Sequence, residues 1–138
     1  MAKTSGLGAL VSVADAGGTP RTISNDVTDF QLNTPRAVQD ITGVDKSAHE
    51  RLLLLADASV SLKGIFNSAA NLSHAVLSTV SSTAVQRAVS IAPTSNNATP
   101  ILNFNALFSS YDVSRGADGK LDWAAKGELS DGALPTWA

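Results

Sequence analysis

Apolar and polar residues alternate with a period of two over long stretches of this chain, most clearly between Thr99 and Leu129. Two such stretches flank a turn at Ser114–Gly119. The apolar positions of the two stretches are Leu102, Phe104, Ala106 and Phe108, followed by Leu121, Trp123, Ala125 and Leu129. Because a period of two is typical of a strand with one buried face, the pattern predicts a long C-terminal β-hairpin. Gly116 and the Asp118-Gly119 pair are expected to supply the positive φ angles of its turn.

A break in this alternation predicts a β-bulge in the first strand of the hairpin. Near Leu107–Phe108 the apolar positions shift to Tyr111 and Val113. One extra residue in a strand reverses the alternation. Odd-numbered side chains after the bulge then lie on the face that even-numbered side chains occupied before it.

The same period predicts shorter strands along the rest of the chain, separated by turn residues. The expected strands lie near residues 7–13, 21–24, 28–32, 36–42, 58–66 and 85–91, with turns at Gly17–Pro20, Asn25-Asp26 and Pro93–Pro100. Helical spacing occurs once, at Leu72, Ala75, Val76, Thr79 and Val80. It predicts one flanking α-helix at about residues 71–80, with Ser68 or Asn71 as its N-cap. The sequence therefore predicts a mainly β fold with one helix in a single domain over residues 1–138.

The segment Ile41–Asp57 fits neither period. Ser47 and Glu50 have the spacing of a capping box, which normally starts a helix. Leu52 to Leu55, however, are four consecutive leucines, and neither a helix nor a strand can point all four at one core. This stretch is interpreted either as buried on all sides or as partly exposed until a partner covers it.

Composition narrows the classes of function. The 138 residues fit one domain, and charged residues make up 16% of them, against roughly 25% in average proteins. The small uncharged residues that replace them suit surfaces in contact with other proteins, although a merely Ala/Ser-rich chain has the same composition. The net charge is −2 with no basic run, which argues against tight binding of nucleic acid.

The sequence does not indicate a disulfide framework or a targeting segment. Its cysteine count is 0, which excludes disulfides and thiolate metal sites. The apolar run near the N-terminus is short and interrupted by Gly6, Gly8 and Ser12, so it is expected to be neither a signal peptide nor a membrane span.

No set of residues indicates an enzyme, a cofactor or a metal. His49 and His74 have no carboxylate at ligand spacing, and no serine lies in a nucleophile elbow. Asp112, Asp118 and Asp122 flank the predicted turn and suggest a cation loop only faintly, because their spacing is not that of an EF-hand. Turn chemistry alone accounts for Asp118.

Three segments resemble the major tail protein, or tail tube protein, of long-tailed bacteriophages. One is D-x-T-G followed by SA-x-ER-LLLL-x-D, at Asp40–Asp57; another is S-x-S-L-x-G-x-F-N with a downstream SHAVL, within Ser59–Leu77. The last is the closing hairpin, Thr99–Leu129, followed by L-x-DG-x-x-PTW, at Leu129–Trp137. Together they cover most of the chain, and none of them is a catalytic signature.

This resemblance implies a compact β-sandwich with a helix on its flank and six copies per ring. Inner sheets would join edge to edge into a continuous barrel, and stacked rings would form a tube through which DNA passes transiently during ejection. The resemblance also implies residence in the virion tail after assembly in the host cytoplasm, with terminator, tape-measure and distal tail proteins as further partners and no membrane contact.

Two surfaces are predicted on this basis. The expected subunit interface comprises Ile41, Val44, Leu52, Leu53, Leu54 and Leu55. The expected lumen-facing residues are Ser59, Ser61, Lys63, Asp122, Ala124 and Glu128. The two lysines in and beside this set, Lys63 and Lys126, fit a DNA conduit less well than the acidic residues do.

Two other interpretations stay open from the sequence. The tube of a contractile tail or of a type VI secretion system shares the ring architecture. A β-sandwich binding module, such as an adhesin or a carbohydrate-binding domain, belongs to a different class and usually presents exposed aromatic residues or a Ca²⁺ loop.

Overall fold

The structure, a computed structural model, describes residues 5–94 and 99–138, so part of the predicted turn at Pro93–Pro100 lies outside the described residues. Its strands are β1 (Leu10–Ala14), β2 (Pro20–Thr22), β3 (Val27–Asn33), β4 (Arg36–Asp40), β5 (Arg51–Ala56), β6 (Ser59–Ile65), β7 (Arg87–Ala92), β8 (Leu102–Arg115), β9 (Leu121–Leu129) and β10 (Thr136–Trp137). A 3₁₀ turn, Ser24–Asp26, precedes β3, and a short helix, α1 (Ser73–Leu77), precedes β7. The predicted mainly β fold with one flanking helix is confirmed.

Most strands belong to one antiparallel sheet in the order β2-β1-β7-β8-β9-β6-β3, with β10 added beside β8. The two end strands of this path, β2 and β3, are separated in the sequence by residues 23–26 alone. That link spans at most about 18 Å when fully extended. The sheet must therefore curl back on itself like a barrel, with its two ends close together.

One hydrophobic core fills the inside of the curled sheet. Its fully buried side chains come from both halves of the sheet path and from α1, and include Val11, Val13, Val60, Leu62, Val76, Leu77, Ile91, Leu102 and Trp123. The indole of Trp123 also donates a hydrogen bond to the carbonyl of Ile65, at 3.0 Å. A buried Trp without such a partner would lose free energy, because its N–H would be desolvated.

The long C-terminal hairpin forms as predicted. The apolar residues Phe104 and Phe108 of β8 lie on the buried face, and the register with β9 shifts between Phe108 and Ser110. This is the predicted bulge, and after it Tyr111 pairs with the buried Ala125. In the turn, Gly119 has the predicted positive φ, at 90°, whereas Gly116 does not have a positive φ.

The predicted helix is shorter than expected, and its predicted N-caps are wrong. It begins after Leu72, and neither Ser68 nor Asn71 caps it. Instead, a carboxylate oxygen of Asp26 accepts a hydrogen bond from the first-turn amide of Ser73 at 3.1 Å. The N-terminal amides of a helix need acceptors, and here the acceptor comes from the 3₁₀ turn before β3.

Arg87 is a charged residue at a buried position of β7, and its hydrogen bonds explain how the core accommodates it. It is 1% exposed, and its guanidinium donates to the carbonyls of Val76 at 2.7 Å and Ala14 at 3.2 Å, and to the Thr79 hydroxyl at 2.9 Å. Burial lowers the pKa of Arg87, and the nearby Asp15 partly opposes that effect. The buried cation thus ties β1, β7 and the end of α1 together.

Other predicted boundaries also changed. The capping box at Ser47–Glu50 does not start a helix, because that segment is a loop leading into strand β5. β1 begins at Leu10 rather than Leu7, the return strand ends at Thr22, and β4 ends at Asp40. In each case strand pairing, rather than the local pattern, sets the limit.

Gly64 lies where the backbone of another segment leaves no room for a side chain. A Cβ at this position of β6 would lie 1.9 Å from the carbonyl oxygen of Asp26 and 2.9 Å from the Trp123 ring. We expect Gly64→Ala to lower the free energy of unfolding by about 1–3 kcal/mol or more, since backbone and core must both shift. Thermal unfolding followed by circular dichroism measures this. Gly6→Ala is the control, because its nearest neighbour would be 3.6 Å away, and an equal loss in both variants would contradict the prediction.

Candidate assembly surfaces

Strands β4 and β5 form a two-stranded ribbon that is separate from the main sheet. We call the whole segment 36–56 the arm. Its base is closed by a hydrogen bond from the amide of Asp57 to the carbonyl of Pro35, at 2.9 Å. Near the base, the Arg36 side chain donates to the carbonyl of Leu54 at 2.9 Å. The arm is therefore an ordered hairpin held mainly by its own hydrogen bonds.

The arm exposes a continuous set of large apolar side chains. All six residues predicted for the interface lie on it and are exposed, as is Val38: Ile41, Val44, Leu52, Leu53, Leu54 and Leu55. Leu54 is the least exposed of the leucine run, at 41%, and Leu55 is the most exposed, at 87%. Exposed apolar residues in this density are unusual for a soluble domain.

Asp40, Thr42 and His49 organise the tip of the arm. One carboxylate oxygen of Asp40 accepts from the amide and hydroxyl of Thr42, and the other lies 3.0 Å from Nδ1 of His49. The Thr42 hydroxyl oxygen in turn accepts from the amide of Glu50, at 2.8 Å. Hydrogen bonds from Thr42, with His49 adding to them, lower the pKa of Asp40.

This cluster was not predicted from the sequence, because nine residues separate His49 from Asp40 along the chain. The β4–β5 register, which pairs Asp40 with Arg51, brings the two side chains together. A prediction of Ile41–Asp57 as half of a hairpin would have placed Asp40 near His49.

The second surface is the outer, polar face of four neighbouring strands, β3, β6, β9 and β8. Cross-strand pairs such as Ser59 with Glu128 and Lys63 with Ala124 place their side chains on the same face. All six residues predicted for the lumen lie on this outer face: Ser59, Ser61, Lys63, Asp122, Ala124 and Glu128. Asp29, Gln31 and Asn33 of β3 extend it on one side.

The outer face carries more acidic than basic groups. Its carboxylates are Asp29, Asp112, Asp122 and Glu128, and its amines on the strands are Lys63 and Lys126. Lys120, beside the turn, lies 3.7 Å from a carboxylate oxygen of Asp122. The face therefore lacks the clustered positive charge that would bind a phosphate backbone by counterion release.

Both margins of the outer face are open within the described residues. On one side β3 is the end of the sheet and pairs with β6 alone. On the other, the pairing of β8 with β7 stops at Ala106, so Leu107–Arg115 pairs with β9 on one side and has no strand on the other. The loop Val80–Val85 lies beside the beginning of this second edge. Unpaired strand edges are templates for adding another strand.

The remaining candidate residues have structural roles. His74 Nδ1 lies 3.1 Å from the Tyr111 hydroxyl, and its ring lies 4.7 Å from that of Phe66 between centroids. Asp118 accepts a hydrogen bond from the amide of Lys120 within the turn. Among the described residues, no group of three or more metal-ligating side chains comes together. Within those residues, no helix is both long and apolar enough to cross a membrane.

Comparison with known proteins gives a clear answer for the fold. No protein-family model matches the chain, and neither does any curated protein sequence. Two solved structures match along nearly the full length of both chains. A chain from the tail of an empty gene transfer agent particle with C6 symmetry is 18% identical, with a TM-score of 0.68 and 94% of each chain covered. A chain from the virion of a native gene transfer agent particle is 16% identical, with a TM-score of 0.69 and 99% of each chain covered.

The chain therefore shares its fold with these gene transfer agent chains. The resemblance to tail tube proteins, which rested on the segments Asp40–Asp57, Ser59–Leu77 and Leu129–Trp137, is confirmed at the level of the fold. The match covers both the curled sheet and the arm, since less than a tenth of either chain lies outside it.

The lowered pKa of Asp40 predicts acid-sensitive order at the tip of the arm. A carboxylate whose pKa is depressed by folding stabilises the folded form above its unfolded pKa, and this contribution is lost as the pH falls through the folded pKa. We therefore expect the amides of Thr42 and Glu50 to lose protection from hydrogen exchange below roughly pH 4, while core amides keep theirs. Asp40→Asn should show the same low protection at neutral pH. Unchanged protection of both amides in that variant would contradict the assignment.

Proposed function

We propose that this protein is the tube-forming subunit of a phage-like tail. Copies would join into hexameric rings, the rings would stack into a tube, and DNA would pass through it on ejection. The observation that carries the proposal is the match of fold along 94% of both chains with a tail that has C6 symmetry. The whole chain would act as one structural domain in the virion, without catalysis and without a cofactor.

The open edges of the outer face support ring formation. If the β3 edge of one copy pairs with the Leu107–Arg115 edge of the next, both rows of unpaired backbone groups find partners. Such a contact joins two different surfaces, and it makes a closed ring when the rotation between copies divides a full turn. Six copies would then join their four-strand faces into one continuous barrel wall.

The composition of the outer face supports its role as the lining of the tube. A conduit has to let DNA move, and an acidic or neutral wall does not retain the phosphate backbone. The face offers Ser59, Ser61 and Gln31 as neutral polar groups beside its excess of carboxylates. Lys63 and Lys126 lie among those carboxylates, which reduces the positive potential that either amine presents.

The arm supports contacts between copies outside the barrel wall. Its exposed leucines cost free energy in water and gain it when a second chain covers them, at about 1.5–3 kcal/mol for each fully buried leucine. The partners of the assembled tube would be other copies of this chain, with terminator, tape-measure and distal tail proteins at its ends and interior. Assembly would take place in the host cytoplasm, without a membrane.

The alternative of a carbohydrate-binding or adhesin module has less support. Such a module needs exposed aromatic residues for stacking on sugars, and Trp123 is 2% exposed inside the core. Trp137 is half-exposed, but it lies on β10 with no second aromatic residue beside it among the contacts described. The tube of a contractile tail or of a type VI system would share the ring geometry, and a sheath protein that binds the outside of the tube would identify it.

Electron microscopy of the purified protein at high concentration tests the proposal directly. Negative-stain images should show rings with six-fold symmetry, tubes, or both. A protein that stays monomeric at every concentration tested, alone and with lysate of cells producing the other tail proteins, would contradict it.

Changing the leucines of the arm singly to serine separates assembly from folding. We expect at least one of Leu52→Ser, Leu53→Ser, Leu54→Ser and Leu55→Ser to keep the thermal midpoint of the monomer within a few degrees, because the monomer does not bury these side chains. The same variant should form no tubes where the wild type does, since each ring repeats the loss at every copy. Lys46→Ser, on the exposed loop of the same arm, is the control and should assemble. If every variant that blocks tubes also unfolds the monomer, the run is part of the core.

Reversing one charge tests the proposed lining of the tube. Glu128→Lys places a cation on the outer face, whereas Asp45→Lys makes the same change of charge on the loop of the arm. We expect duplex DNA to sediment with tubes of the Glu128→Lys variant, with an affinity that falls steeply as salt rises, and not with wild-type tubes. Equal retention of DNA by both variants would contradict the placement of this face in the lumen.

A further inference from the structure

The arm is apolar on both of its faces, which distinguishes it from an ordinary amphipathic hairpin. In the β4–β5 register Val38 lies opposite Leu53, and Gln39 lies opposite Leu52. Because neighbouring residues of a strand point to opposite faces, Val38 and Leu53 share one face of the ribbon. Leu52 lies on the other face, beside Gln39.

Neither face is covered by the rest of its own chain. Val38 is 53% exposed and Leu53 is 57% exposed on the first face, and Leu52 is 51% exposed on the second. Sheets that expose one face to water normally alternate apolar with polar residues, and β5 does not. A single flat partner surface could bury the leucines of one face alone and would leave the other face in water.

A cleft on one partner cannot hold the ribbon either. Packing on both faces requires walls about 10 Å from the ribbon on each side, so a gap of about 20 Å. Five surface hollows on the described residues hold about 210–400 Å³ each, which is much less than a two-stranded ribbon occupies. The two faces therefore need two separate partner surfaces.

We propose that each arm is inserted between two other copies of this chain, with one copy packed on each face of the ribbon. This inference rests on the proposed self-assembly and specifies how the arm takes part in it. The chain itself supplies apolar surface for the contact, because Leu107, Leu134 and Trp137 are also at least half or nearly half exposed. A repeated contact between copies would cover both sets at once.

A bridging arm gives the assembly a particular order of events. A copy that has joined one neighbour leaves one apolar face of its arm in water until a further copy arrives. Each completed contact thus creates a better site for the next copy, and growth becomes cooperative. Removing the apolar residues of either face alone should stop tube growth, because both partners depend on the same ribbon.

Photo-crosslinking from each face tests this arrangement. The chain has no cysteine of its own, so Leu53→Cys and Leu52→Cys each provide one site for a benzophenone maleimide on opposite faces. Tubes are assembled from a mixture of two kinds of chain: benzophenone-labelled chains with natural isotopes, and ¹⁵N chains without benzophenone. They are then irradiated and digested for mass spectrometry. We expect cross-links from both sites to ¹⁵N peptides, with different peptides for the two faces.

The outcomes separate this inference from the proposed function. Tubes in which both sites reach the same partner peptide, or in which one site reacts only within its own chain, overturn the two-sided arm and leave the tube function intact. Failure of the wild-type chain to assemble at all overturns both. Variants of each face serve as a second measurement: Val38→Ser with Leu53→Ser on the first face, and Leu52→Ser on the second, should each raise the concentration needed for tubes at least about tenfold. If either of these variants forms tubes at the same protein concentration as the wild type, the inference is also overturned.

Discussion

The curled sheet depends on the 3₁₀ turn at Ser24–Asp26, where the two ends of the sheet path meet. The main chain of Asp26 passes so close to Gly64 of β6 that no Cβ fits between them. Its carboxylate accepts from the Asn67 side chain at 2.9 Å and from the amide of Ser73 at 3.1 Å. A single buried residue thus connects the start of β3, the end of β6 and the beginning of α1, and the closure of the barrel follows from it.

This closure also forms the outer face, which is the proposed lining of the tube. Because Asp26 directs β3 alongside β6, the strand order β3-β6-β9-β8 brings the polar sides of four strands into one face with an open edge at each margin. Arg87 does the corresponding work on the far side, where it ties β7 to β1 and α1 through carbonyl acceptors. Both are charged groups inside the protein that keep their hydrogen bonds, so loss of either partner set would leave a buried charge without compensation.

Local patterns predicted the elements whose periodicity the fold preserves. The hairpin of β8 and β9 was readable, including the bulge after Phe108, because one apolar face is buried along its length. The common face of the six residues predicted for the lumen followed from alternation, whereas the strand order that assembles it did not, because neighbours such as β6 and β9 are far apart in the sequence. The limits of α1 were missed because Asp26, 47 residues before Ser73, supplies the cap. The capping box at Ser47–Glu50 was overridden by the pairing of β4 with β5, which gains more backbone hydrogen bonds than one helical turn would.

The arm presents a conflict between solubility and assembly, and its sequence limits that conflict. Four exposed leucines on a two-stranded ribbon with unpaired edges would normally promote aggregation. Charged residues enclose the run on both sides, Arg51 before it and Asp57 after it, as gatekeepers do around unavoidable apolar strands. The hydrogen bonds of Asp40 with Thr42 and His49 fix the tip, so the ribbon keeps one register instead of sliding into alternative pairings. In the proposed assembly, a ribbon that is ordered before binding would lose little conformational entropy on insertion. In the proposed assembly, the hydrogen bonds at the tip would therefore hold the exposed leucines in one arrangement, and a partner chain could recognise that arrangement specifically.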